Sequence, residues 1–425
     1  MPAPTKKTSH HHSHLQPPPP PLIGTQRSGS LESQEGTNAE GTNASPHTVT
    51  SPSAVKIVVS SDYQKDIAEA LSQDAPVQRR PRTLSVPTLN QYVDATPQRA
   101  AGGNFFTRLF EAIAPQRSEP FSYRDEKRSA ASEAMWLNTI VPQWDRLKGQ
   151  KKTRALFMEG IPPRVRGAVW KTVIGNHVGM SKELFEIYDR HARQERDMNV
   201  ENSASRLIDV DLPRTFPSSL FFNRTGPFYQ QTMDVLAAWA QYRPDVGYVQ
   251  GMSHVAGMLV MNMDTYDAFC SFVNMMDDIF FMAFYRMDID LILCHLRVYN
   301  LIFAYNMREL YQHFEAEEVS PNYYLLDWFM TMFTHVLKIN AASRVWDGFL
   351  VEGEAFLHRA ALGIIRRYER QFLATDFEGI VELLRRNPKD ISEDELMESI
   401  MSITVPQYIM VPLARLHEQY DSSRR

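Results

Sequence analysis

The sequence predicts an all-α fold, and three features of the chain support this together. From about residue 133 onward, apolar residues recur at intervals of three and four, the spacing of one helix face. LFMEGIPPRVRGAVWKTVIG (156–175), MDVLAAWAQY (233–242), YLLDWFMTMFTHVL (324–337) and FLHRAALGIIRRYERQFL (356–373) all show it. Convincing period-two alternation, the mark of a half-buried strand, is missing from the same region. Helix punctuation is also present. Thr375-Asp376-Phe377-Glu378 and Ser392-Glu393-Asp394-Glu395 each read as a capping box that starts a helix, and Asn387-Pro388 ends the helix between them. A helical domain over 133–420 is expected, with no sheet whose strand ends could host a nucleotide.

Residues 1–103 read as a disordered, low-complexity tail. The first 100 residues hold 13 of the 26 prolines, no Trp and no Phe, with Tyr63 and Tyr92 their Tyr residues. Such a stretch cannot bury enough apolar surface to offset the entropy of ordering it. All six tryptophans fall between 136 and 346, which locates the core. In the tail, His10, His11, His12 and His14 lack a Cys partner or an enclosing fold and read as a solvated polar tract. Pro17 to Pro21 favours polyproline II. The stretch RRPRTLSVP (79–87) fits an unmodified basic linker or a phosphosite. Phosphate on Ser85 beside Arg82 would give an R-x-x-S-x-P pattern that resembles a ligand of 14-3-3 adaptors.

Residues 104–132 read as a linker with one short amphipathic helix. Phe105, Phe106, Leu109, Phe110 and Ile113 share one face, suited to docking on a protein surface. RLKGQKKTR (146–154) reads as a solvated basic loop.

Composition excludes several function classes. A net charge of -5 offers no general attraction to nucleic acid. Cys270 and Cys294 sit inside helical patterns, so the chain has no disulfide scaffold and suits a reducing, intracellular compartment. The N-terminus is polar where a secretory signal needs an apolar stretch. The longest apolar run, VAGMLVM (255–261), is far shorter than the roughly 20 residues of a spanning helix. A cytoplasmic protein is expected. G-x-x-x-x-G-K-[ST], G-x-G-x-x-G, H-E-x-x-H, C-x-x-C and G-x-S-x-G are all absent, which argues against a self-contained nucleotide hydrolase, metalloprotease or serine hydrolase.

Three short stretches interrupt the helical pattern with polar or backbone-special residues. In GIPPRVRGAVW (160–170), Pro162 and Pro163 suit a helix start, and Arg166 and Trp170 fall one turn apart on one face. That spacing alone is also what a packing pair shows, an Arg stem over an indole. In IDVDLPRTFP (208–217), Pro213 and Pro217 disfavour helix for the residues before them, which places Arg214 on an extended surface loop with Asp211 able to orient it. In RPDVGYVQGM (243–252), Gly247 and Gly251 free the backbone on either side of Gln250 and present one neutral amide at a helix start.

Together these stretches resemble the TBC domain of Rab GTPase-activating proteins. I-x-x-D-x-x-R-T is complete as Ile208, Asp211, Arg214 and Thr215, and Y-x-Q-G-M as Tyr248, Gln250, Gly251 and Met252, with R-x-x-x-W present as Arg166 and Trp170. The resemblance continues through Asp327-Trp328 and Arg344-Val345-Trp346-Asp347 and covers roughly 155–390. It implies an activity exerted on a partner, a Rab-type small GTPase in its GTP state, with GTP and Mg2+ belonging to that partner and no cofactor in this chain. It further implies that Arg214 is an arginine finger and Gln250 a glutamine finger. Asp211, Thr215, Arg166, Trp170, Tyr248, Gly251 and Met252 would support them. A role in vesicle trafficking, peripheral to endomembranes, follows from the same resemblance. The alternative is a Rab-binding adaptor or scaffold that does not accelerate hydrolysis.

Overall fold

The structure, a computed structural model, describes residues 130–198, 200, 203–216 and 220–424. The tail with Ser85, and the 104–113 helix, lie outside the described residues. A helical segment from residue 130 passes through a π turn at Trp136–Ile140 and a 3-10 turn at Val141–Gln143. Helices α1 (Trp144–Leu147), α2 (Lys151–Glu159), α3 (Pro163–Ile174), α4 (Lys182–Asp197), α5 (Ala204–Thr215), α6 (Tyr229–Tyr242), α7 (Met252–Val260), α8 (Thr265–Met276) and α9 (Ile279–Tyr285) follow. The second half contains α10 (Ile289–Asn306), α11 (Arg308–Ala316), α12 (Leu325–Met330), α13 (Ile339–Glu352), α14 (Glu354–Arg367), α15 (Glu369–Phe372), α16 (Phe377–Arg386), α17 (Glu393–Ser402) and α18 (Val411–Arg424). No strand occurs among the described residues, so the all-α expectation holds.

Two helices act as hubs because they are buried on most sides. On α6, Thr232 through Ala240 are all buried, and α4, α5, α7 and α8 pack around it. On α14, Phe356 to His358 and Ala360 to Ile365 are buried, with α10, α12, α13 and α17 as neighbours. Helix α13 packs on both α2 and α3 and so joins the start of the domain to its C-terminal half. No single described helix is long and apolar enough to cross a membrane.

Four sequence expectations are corrected. The basic run 146–154 is not a loop: Arg146 lies in α1 and Lys151 to Arg154 open α2, where burial of Thr153, Leu156 and Phe157 draws the segment into a helix. Arg154 pairs with Glu352 at 2.9 Å. The 324–337 segment is helical only to Met330, because Met332 and Phe333 adopt positive φ of 48° and 62°. That conformation costs a non-glycine residue roughly 1–2 kcal/mol. Burying the Phe333 side chain offsets this, and the freed Met332 carbonyl accepts the Trp346 indole N–H at 3.2 Å.

The box at Thr375 is displaced by one residue. Helix α16 starts at Phe377, and Asp376 Oδ1 accepts from the Gly379 amide at 3.2 Å, while the Thr375 carbonyl is taken up by His313 at 2.8 Å. The Ser392 box forms as expected, with Ser392 and Glu395 bonding reciprocally. The fourth correction, at Arg214, belongs to the site.

Candidate functional site

The segment between α6 and α7 is a tightly tied turn. Gly247 and Gly251 have φ of 65° and 103°, values that L side chains rarely adopt, so both positions require glycine. The Gly247 N–H donates to the Arg243 carbonyl at 2.8 Å, and its own carbonyl accepts from the Trp239 indole at 2.9 Å. Arg243 and Arg286 both bind Asp245. The hydrogen bond from Arg243, with Arg286 adding, holds the Asp245 carboxyl down at about 2. Gly251 caps α7, Met252 is fully buried beneath it, and Gln250 is left exposed at the apex. The sequence expectation of an amide presented at a helix start is met.

Arg214 is not on an extended loop. It occupies the last turn of α5, and Pro213 lies inside that helix. A proline inside a helix costs about 3 kcal/mol. Full burial of Ile208 and Leu212 on the inner face, worth roughly 1.5–3 kcal/mol each, offsets that penalty. The helix does end at Phe216, whose φ of -126° and ψ of 74° leave the helical region. Arg214 is still exposed, with a side-chain exposure of 59%.

Two hydrogen-bond links join the end of α5 to the Gln250 turn. Asp211 Oδ1 accepts from Arg214 Nε at 2.9 Å and from its Nη2, while Asp211 Oδ2 accepts from the Tyr248 hydroxyl at 2.8 Å. Thr215 Oγ1 donates to the Asp211 carbonyl at 2.8 Å and lies 2.9 Å from Ser253 Oγ on α7. One carboxylate thus orients the guanidinium and anchors the turn that carries Gln250. Burial, with Asp211 adding, pushes the Tyr248 hydroxyl above its ordinary range, so it remains a donor. Arg214 is held through Nε and Nη2, which leaves Nη1 to face an outside acceptor.

Arg166 and Trp170 belong to a second, buried network centred on Asp347 of α13. Arg166 Nη2 donates to Asp347 Oδ2 at 3.3 Å and to the Ile161 carbonyl at 3.0 Å. Trp170 Nε1 donates to Asp347 Oδ1 at 2.8 Å, and the Ile161 amide reaches Oδ2 at 3.3 Å. The Trp170 ring stacks on Trp346 at 5.0 Å. These two residues therefore bind Asp347 and Ile161, and not the Asp211 cluster that holds Arg214. A Cβ on Gly167 would lie 1.9 Å from the Asn262 carbonyl, so α3 is pressed against the chain just past the end of α7.

His254 lies on α7 between Phe216 and His335, with ring centroids 5.2 and 5.5 Å away. Burial, then the neighbouring His335, pushes it down to about 3, with Asp327 opposing. An unfolded histidine titrates near about 6.5. Its titration therefore leaves stability unchanged above that pH, and stability falls as the solution is acidified toward 3, by about 2 kcal/mol at pH 5. His254→Phe should lose about 2 kcal/mol less unfolding free energy between pH 7 and pH 5 than wild type does. Denaturant melts at both pH values test this, and equal losses in the two proteins would remove the assignment.

The sequence reading missed an apolar strip beside Arg214. Leu207 and Val210 are 58% and 63% exposed, and their spacing of three and four places them on the Arg214 face of α5. Leu220, just beyond, is 77% exposed. The signal was available, since these apolar positions fall outside the Ile208, Leu212 core register.

Residues 163–373 match the RabGAP-TBC family, described as the Rab-GTPase-TBC domain. The chain is 36% identical over 308 residues to TBC1 domain family member 12 of Rattus norvegicus, a match covering 69% of this chain and 44% of that protein. It is 31% identical over 325 residues to Drainin of Dictyostelium discoideum, covering 64% of this chain and 74% of that protein. The crystal structure of the Chlamydomonas flagellar RabGAP TBC domain shares the fold, with a TM-score of 0.53 and 22% identity over 67% of this chain and 96% of that one. The chain belongs to the Rab-GTPase-TBC domain family. It spans less than half the length of the family member 12 protein it matches. A domain of this family needs no cofactor of its own.

Proposed function

We propose that the chain is a GTPase-activating protein for a Rab-type small GTPase in its GTP state, with Arg214 as arginine finger and Gln250 as glutamine finger. The observation that carries this reading is the pairing of two exposed polar side chains on elements locked together by Asp211, Tyr248, Thr215 and Ser253. The partner would supply GTP and Mg2+. Arg214 would place a fixed charge against phosphoryl oxygens as negative charge develops, and Gln250 would accept a hydrogen bond from the attacking water while donating toward phosphate. Leu207, Val210 and Leu220 would meet an apolar patch of the partner and seat the fingers. On this reading the protein works in the cytoplasm at endomembranes reached through its partner, regulates vesicle trafficking, and phosphorylation at Ser85 would recruit an adaptor.

The test is single-turnover GTP hydrolysis across a panel of Rab proteins with wild type and Gln250→Ala. Removing one preorganised donor from a hydrolytic site typically costs roughly 10²- to 10³-fold, and a loss of that size is expected. A substrate Rab whose own catalytic glutamine is replaced should stay sensitive to the wild-type chain. GTP-dependent binding without stimulation of any Rab would instead establish the adaptor.

A further inference from the structure

A polar cluster lies well away from the sequence motifs, at the C-terminal half of the domain. Glu354 opens α14, His295 lies on α10 and His417 on the C-terminal helix α18. Glu354 Oε2 is 3.5 Å from His417 Nε2 and 3.9 Å from His295 Nε2, and the three donor atoms all fall within 4.8 Å of one another. We propose that His295, Glu354 and His417 bind one divalent transition-metal ion of the zinc type, which staples α18 to the body of the domain.

Three observations carry this. The separations exceed the roughly 2.7–3.2 Å of a hydrogen bond. Two of them approach the tetrahedron edge of about 3.4 Å that follows from zinc–ligand bonds near 2.0–2.1 Å, and the remaining pair lies within 4.8 Å, so side-chain movements of about an ångström or less per ligand close the site. Second, His295 is 0% exposed, and its Nε2 has no hydrogen-bond partner although it points at the Glu354 carboxylate. Its other nitrogen lies 3.4 Å from Nε2 of the fully buried His358, the outer partner that fixes a ligating ring.

Third, Glu354 and His417 line a cavity of about 590 Å³ together with His177, Asn274 and Asp278. This gives an entry path and room for a water as fourth ligand. Two imidazoles and one carboxylate suit zinc or cobalt, whereas calcium and magnesium take oxygen ligands in larger number.

The test uses the full chain with His10, His11, His12 and His14 replaced by Ala, so that the tail tract does not compete. Calorimetry with Zn2+, the visible spectrum with Co2+ and thermal melts with and without Zn2+ are the readouts. One equivalent of metal, tetrahedral Co2+ bands and a higher melting temperature are expected. Glu354→Gln, nearly isosteric, and His417→Ala, on a partly exposed face, should each weaken binding beyond the roughly 10- to 100-fold typical of an outer-shell loss. Absence of binding in the tail-substituted chain, or stoichiometric binding that both variants leave unchanged, would overturn the site.

Discussion

Arg214→Lys should lose nearly all stimulated hydrolysis while melting like wild type. The two halves of this result rest on different magnitudes. For stability, Arg214 reaches the buried Asp211 from a side chain that is itself 59% exposed, and lysine keeps a cation there, so the expected change is about 0–1 kcal/mol. For the rate, an arginine finger contributes roughly 10³ to 10⁵, or about 4–7 kcal/mol. Lysine keeps the charge but not the planar fork that lets one guanidinium bind Asp211 through Nε and Nη2 and still offer Nη1 outward. Arg214→Ala should show the same loss. A drop of less than about tenfold in Arg214→Lys, with the panel's best Rab, would mean that charge alone suffices and that the finger assignment fails.

The paired site explains why the position of Arg214 could be wrong in the sequence reading and its role still argued. Pro213 and Pro217 carry a local signal against helix, and local signals are all that a proline rule sees. The fold overrides the first of them because Ile208 and Leu212 must be buried against α6 and α7, which the chain achieves by continuing α5 through Thr215. The Gln250 turn was legible because its signal is local as well: two glycines at positive φ flank the exposed residue. Helix existence was legible from periodicity, but the break after Met330 was not, since it depends on Trp346 reaching the Met332 carbonyl. Long-range convergence left no trace in the spacing. His295, Glu354 and His417 stand about sixty residues apart in sequence and meet only when α18 docks.

Asp347 shows the same gap between sequence and fold, and it carries the largest expected effect on stability. Its side chain is fully buried and serves three donors at once: the Arg166 guanidinium, the Trp170 indole N–H and the Ile161 amide. Asp347→Ala strands a buried guanidinium, which costs about 3–5 kcal/mol. It also leaves two neutral donors without an acceptor, at about 1–3 kcal/mol each. Against a total stability of roughly 5–15 kcal/mol for a folded domain, the variant should be largely unfolded or aggregated at 37 °C.

Adding Arg166→Met to Asp347→Leu removes the stranded charge and should recover part of the loss relative to Asp347→Ala. Recovery stays partial because the Trp170 and Ile161 donors remain unsatisfied. Urea melts of the three proteins measure the difference. A midpoint for Asp347→Ala that corresponds to less than about 1 kcal/mol of destabilisation would show that water reaches Arg166, contrary to its 3% exposure. Partial recovery carries a functional reading too, because α3 bears on the Asn262 carbonyl just past the end of α7. A folded double variant that keeps Arg214 and Gln250 but loses stimulated hydrolysis would show that the buried Asp347 network sets the position of α7 and of the glutamine turn that precedes it.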